Sequence, residues 1–177
     1  FYVTEKPFAM KDIDLALEHG PWLANAPGDS ECVEISNIMI GSGIIENFNP
    51  HQSVDDCFVN HTSSGIFLTN TNLRVGQAWD NHYAAGVRFY NVTIPAGATI
   101  TSAYLKVIAA ISQGAASTVT DIYGELNAIP AAFSTYGNFI SRIKTLKKVA
   151  WEMPPMFVGT EYTSPDIKDI IQEIINL

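Results

Sequence analysis

The sequence predicts an all-β fold in which two antiparallel sheets pack as a β-sandwich, with one short amphipathic helix at the C-terminal end. Three observations predict it. In residues 86–110, Val87 and Phe89 alternate with Arg88 and Tyr90, and Ala103, Leu105, Val107 and Ala109 alternate with Ser102, Tyr104, Lys106 and Ile108, the period of strands with one apolar face. Between these runs, Pro95 presets the second position of a turn from Ile94 to Gly97, and Gly97 stands where a type I turn favours glycine, so the stretch reads as two antiparallel strands across one turn. Near the C-terminus, Ile167, Ile170, Ile171, Ile174 and Ile175 recur at helical spacing. An apolar sheet face has to be buried against another layer, which calls for a second sheet.

The remaining elements follow in chain order. Residues 1–49 read as an extended N-terminal arm or connector, because so little periodicity makes a poor independent core. Within it, Asp12 to Glu18 carries Ile13, Leu15, Ala16 and Leu17, read as a short helix or turn that Gly20 and Pro21 stop. A strand is expected around Cys32 to Ile40, followed by the flexible Gly41 to Gly43. Residues 50–177 form the sandwich, with short strands near Cys57 to Val59 and Asn72 to Val75 and a loop over Gly76 to Gly86. After the central pair come the β-branched and aromatic STVTDIYGEL strand, a loop holding Pro130 and Gly137, and a strand from Ile143 to Trp151. Ser164 is placed to cap the last helix, Pro165 to occupy its first position and Asp166 to favour the positive end of its dipole.

Composition narrows the function. The chain has 177 residues, 47% of them hydrophobic and 16% charged, against about a quarter charged in ordinary globular domains. Polarity comes instead from Ser, Thr, Asn and Gln, a mixture common in extracellular β-rich proteins. A formal charge of −8 disfavours nucleic acid and anionic lipid, both of which select basic surfaces. No apolar run is long enough to span a bilayer, so no membrane insertion is expected. The chain opens at Phe1 without a methionine or a signal peptide, which reads as a processed chain or part of a longer polypeptide. Cys32 and Cys57 have no metal-ligand spacing and are either packed or paired with each other.

Several motifs resemble one family. Asp55-Asp56-Cys57-Phe58-Val59, Leu73-Arg74-Val75-Gly76, Val87-Arg88-Phe89, Ile94-Pro95-Ala96-Gly97-Ala98-Thr99-Ile100 and Ser102-Ala103-Tyr104-Leu105 resemble the acidic opening, the three strands and the proline-glycine turn of DNRLRE-type jelly-roll modules. Trp151 and the Ser164-Pro165-Asp166-Ile167 helix entry look like the family's later tryptophan strand and helix. The variant is similar to copies in tailed-bacteriophage virion proteins and bacterial surface proteins. The resemblance, over residues 54–177, implies a non-catalytic jelly roll that binds glycans or builds extracellular or virion surfaces. Family members continue past the helix into further strands, which here leads to the expectation of a module cut short at its C-terminal end and an open sheet edge that another chain completes.

Candidate chemistry lies in loops. Trp79, His82 and Tyr83 set rings beside Asp80 and Asn81, and sugar recognition needs stacking faces next to hydrogen-bonding groups. The competing structural role has Trp79 plugging the end of the core. Asp55, Asp56 and Asp80 offer oxygen ligands for calcium, although no EF-hand spacing supports them and flanking a turn is the plainer role. His51, His61 and His82 lack ligand spacing and read as surface residues. Asp121 and Glu125 share a strand face roughly 13 Å apart, wider than the carboxylate pair of a retaining glycosidase. With no nucleophile, phosphate or dinucleotide motif, no catalytic residue is assigned and no cofactor beyond calcium. Two Asn-x-Thr sequons, Asn60-His61-Thr62 and Asn91-Val92-Thr93, match the glycosylation acceptor pattern, which carries weight in a eukaryotic source and little in a bacterium or phage. The expectation for function is a structural module of a virion or cell surface that joins other protein chains through its arm and sheet edge. The alternative is a carbohydrate-binding module that uses the Trp79 loop to hold polysaccharide.

Overall fold

The computed structural model describes residues 8–18, 33–40, 44–48, 55–78, 80–95, 97–112 and 118–177. They form eleven strands and two helices: β1 (Phe8–Glu18), β2 (Val33–Ile40), β3 (Ile44–Phe48), β4 (Asp56–Asn60), β5 (Gly65–Phe67), β6 (Gly76–Ala78), β7 (Asn81–Pro95), β8 (Ile100–Ile108), β9 (Thr118–Glu125), α1 (Tyr136–Ile140), β10 (Lys144–Met153), β11 (Glu161–Thr163) and α2 (Lys168–Ile175). One sheet runs β10-β9-β1-β7-β4-β5, with β6 added beside β7, and the other runs β11-β8-β2-β3. Every pairing is antiparallel. The all-β reading therefore holds.

The central pair of strands is not a hairpin. β7 pairs with β1, β4 and β6, whereas β8 pairs with β2 and β11, so the Ile94–Gly97 turn carries the chain from one sheet to the other. The apolar faces of the two strands meet across the core instead: Val87, Phe89, Val92 and Ile94 share one buried cluster with Ala103, Leu105 and Val107. Alternation specifies a one-sided strand in either arrangement, and the register of a partner is not written in it. Gly97 has φ +72°, which glycine adopts without steric cost.

Residues 1–49 are only partly an arm. Phe8–Glu18 is a strand, not the short helix expected over Asp12 to Glu18, and it lies between β7 and β9 with ladders to both. Val33–Ile40 lies between β8 and β3. Strands from before residue 50 thus lie in both sheets, paired with strands from after it. The strand expected near Asn72 to Val75 is irregular, though Leu73 and Val75 are buried. The Pro130 to Gly137 loop leads into α1, whose N-cap Thr135 accepts from Asn138 N–H at 3.0 Å.

At the C-terminal end α2 buries Ile170, Ile171, Ile174 and Ile175 in the shared core. It packs on β8 of one sheet and on β9 and β10 of the other. Gly124 makes this possible, because a Cβ there would lie 2.7 Å from Ile174 Cδ1 and 2.9 Å from Ile170 Cγ2. Ser164 does not cap the helix: its Oγ accepts from Leu105 N–H at 2.9 Å, and Asp166 Oδ1 accepts from Ala103 N–H at 3.0 Å. Ser164 instead fastens the approach to α2 onto β8, while Asp166 Oδ1 also accepts from Lys168 N–H at 2.9 Å and so stands at the positive end of the helix as expected.

Candidate functional site

The expected loop over Gly76 to Gly86 is strand almost throughout. Ala78 pairs with Asn81 and Gln77 with His82, and Asp80 lies in the turn between β6 and β7. Adjacent strand residues face opposite ways, so His82 and Tyr83 cannot join one stacking platform. Tyr83 packs edge-on against Phe58, 6.0 Å between ring centroids, and Arg74 lies 5.7 Å from its centroid. His82 and Asp80 are exposed. Asn81 Oδ1 accepts from Asn60 Nδ2 at 2.9 Å, and the Thr62 hydroxyl donates to the Asp80 carbonyl at 2.9 Å while accepting from His82 N–H at 3.3 Å. These bonds staple the β6–β7 turn to the β4–β5 turn. Trp79 lies outside the described residues.

The calcium set is not brought together. Asp55 and Asp56 stand at the start of β4 and Asp80 lies beyond its far end, because Asn60 is opposite Tyr83; four residues of strand separate these ends by roughly 13 Å. Asp55, only 1% exposed, is engaged by Arg88, whose Nε and Nη2 both donate to Oδ1, Nε at 2.8 Å. Arg88 Nη1 also donates to the Pro130 carbonyl at 3.2 Å. Among the described residues no group of three or more His, Cys, Asp or Glu side chains could hold a metal. His61 Nδ1 is 3.1 Å from the Tyr136 hydroxyl, and His51 lies outside the described residues.

The remaining carboxylates of interest are also held in pairs. Lys148 Nζ donates to Asp121 Oδ2 at 2.8 Å, and Arg142 Nη1 donates to Glu125 Oε2 at 2.6 Å. The Asp121 carboxylate beside it, first through that hydrogen bond and then through its charge, pushes the Lys148 amine above the usual lysine value. Cys57 is buried with Val59, Ala84, Phe133 and Phe139 on the face of β4 and β7 away from the main core. Cys32 lies outside the described residues.

A feature the sequence reading did not single out sits at the start of β10. The ladder to β9 jumps from Lys144 opposite Glu125 to Lys148 opposite Tyr123, so Thr145, Leu146 and Lys147 bulge out. Thr145 turns inward, its Oγ1 accepting from Gly124 N–H at 3.0 Å and donating to the Lys147 carbonyl at 2.7 Å. The Glu173 carboxylate of α2 accepts the N–H groups of Leu146 and Lys147 at 2.8 and 2.9 Å. The bulge is therefore fixed from both sides, and it holds Leu146 at 91% exposure. Beside it opens a cleft of about 400 Å³ lined by Leu146, Lys147, Asp169, Gln172, Glu173 and Asn176. A signal was available in the sequence: the inward parity set by Met153, Trp151 and Val149 reaches Lys147, and a lysine at an inward position calls for a register break.

No family model matches the chain, and no curated protein or solved structure matches it. The likeness to DNRLRE-type modules rests on the quoted motifs alone.

Proposed function

We propose that this chain is a non-catalytic structural module, a jelly-roll-like β-sandwich whose copies associate through the β10 bulge as part of a virion or cell-surface assembly. The observation that carries the reading is Leu146, a large apolar side chain 91% exposed whose own N–H is held by Glu173 while Thr145 and Glu173 fix the bulge around it. Holding the loop rigid in the free chain removes most of the ordering cost of an interface. Ile143 and Ile140, 70% and 54% exposed, extend the apolar surface along the same segment. The occupant is a second copy. Lys147 stands on one wall of the cleft beside Leu146 and Asp169 and Glu173 on the other, so a two-fold pairing seats each Leu146 in the opposite cleft with unlike charges facing. This moves the contact from the N-terminal arm to β10, since β1 is needed inside the sheet.

Leu146→Asp tests the pairing. It replaces an exposed side chain and leaves the capped backbone in place, so the fold should persist while gel filtration shifts from oligomer to monomer. An unchanged elution volume with an unchanged circular dichroism spectrum would remove the bulge from the interface. The carbohydrate reading keeps exposed Asp80 and His82 at the Trp79 turn but loses Tyr83 to the core.

A further inference from the structure

The two Asn-x-Thr sequons differ in exposure, Asn60 being buried and Asn91 exposed. Asn60 is 8% exposed. Its Nδ2 donates to Asn81 Oδ1 at 2.9 Å, and its Oδ1 accepts from Thr62 N–H at 2.9 Å and Ser63 N–H at 3.3 Å. The Thr62 hydroxyl is engaged by Asp80 and His82. A sugar on Asn60 Nδ2 would have to open the staple between the two turns.

Asn91 sits on a β-bulge. The β1–β7 register passes from Ile13 opposite Phe89 to Lys11 opposite Val92, so Tyr90 and Asn91 together face the single residue Asp12. Asn91 takes φ +56° there, a left-handed conformation that asparagine tolerates better than most residues. The extra residue lets both side chains reach solvent, and buried Phe89 and Val92 flank them. Thr93, the third sequon residue, is exposed as well, and its hydroxyl donates to the Asn91 carbonyl at 3.3 Å. Tyr90, 45% exposed, is steadied by Arg88, whose guanidinium lies 5.4 Å from its ring centroid. An aromatic face beside the acceptor amide suits the C–H face of a first sugar.

We infer that Asn91 is an N-glycosylation acceptor site of the folded chain and that Asn60 is not. In the transfer, Asn91 Nδ2 attacks the anomeric carbon of a sugar activated as a diphosphate ester. The new C–N bond forms as the bond from that carbon to the phosphate oxygen breaks, the diphosphate leaves, and the amide proton passes to a base on the transferase. The attached glycan then covers the outside of the seven-stranded sheet at the β1–β7 bulge.

The test treats the folded chain with a soluble sequon-directed N-glucosyltransferase and UDP-glucose and reads occupancy at each site by peptide mass spectrometry. Synthetic peptides spanning each sequon serve as controls. Because Asn60 must first open locally, at a cost of a few kcal/mol, Asn91 occupancy should exceed that of Asn60 by on the order of tenfold or more in the folded chain, while the two peptides react comparably. Asn91→Gln should leave the folded chain unmodified, and Tyr90→Ser should lower occupancy at Asn91 without changing the fold. Equal occupancy of the two sites, or an unmodified Asn91 in a chain whose matching peptide reacts, would overturn the assignment.

Discussion

The two faces of the seven-stranded sheet are covered by different physics. On the inner face, Ile170 and Ile174 of α2 press onto Gly124, and the cover is aliphatic surface continuous with the main core. On the outer face, Phe133 and Phe139 press onto Gly86, where a Cβ would lie 2.6 Å from Phe133 Cζ, and among the described residues the buried cluster there is Cys57, Val59, Ala84 and the two rings, with Ile66, Leu68 and Tyr136 packed against it. That cluster is small, and charged groups reinforce it. Arg142 reaches the Ala131 carbonyl at 2.7 Å and the Ala132 carbonyl at 3.2 Å, and Arg88 ties the Pro130 carbonyl to Asp55. Burial of apolar area is non-directional, and its loss scales with the area removed and the cavity left behind. A buried ion pair tolerates the loss of neither partner, because the remaining charge is stranded out of water.

The comparison is sharpest at Asp55. Asp55→Asn removes the carboxylate charge that faces the Arg88 guanidinium, 12% exposed, and should cost about 3–5 kcal/mol in urea unfolding. A loss below about 1 kcal/mol would mean that the pair is held more loosely than its geometry. Ile174→Ala on the inner face should cost about 2–5 kcal/mol, set by how far α2 can settle into the cavity. Its signature is a global loss, with amide exchange rising across both sheets; loss confined to α2 would show the helix to be an accessory layer. The smallest effect belongs to Lys148. Its amine is raised above the usual lysine value by Asp121, so its contribution is present at neutral pH and fades only as pH climbs through the ordinary lysine range and beyond. Lys148→Ala should leave the urea midpoint near pH 7 indistinguishable from that of the parent chain, and a resolved shift would give the exposed pair a structural weight that its solvation argues against.

Some of this was legible in the sequence and some was not. The alternation over β8 and the isoleucine spacing of α2 gave those elements their buried faces, because such periods report one-sided burial directly. Strand β1 carried the same kind of signal, since Ile13, Leu15 and Leu17 alternate with Asp14, Ala16 and Glu18, but the short run also fits a helix and was assigned to one. The partner of each strand was illegible. The Ile94–Gly97 turn serves a crossover as well as a hairpin, and nothing local says which sheet receives β8. The bulges left a clearer trace. Apolar parity is odd at Val87 and Phe89 and even at Val92 and Ile94, which places an extra residue at Tyr90-Asn91, and Lys147 breaks the parity of β10 in the same way. At the glycan site expected around Trp79, strand pairing sends His82 and Tyr83 to opposite faces, which the residue types alone did not reveal.

Assembly through the β10 bulge is tested most directly by the light-scattering mass of the unmodified chain over a range of micromolar concentrations. A mass that is a defined multiple of the single chain, retained on dilution across that range, is the predicted result. A single-chain mass at every concentration would contradict self-association through Leu146.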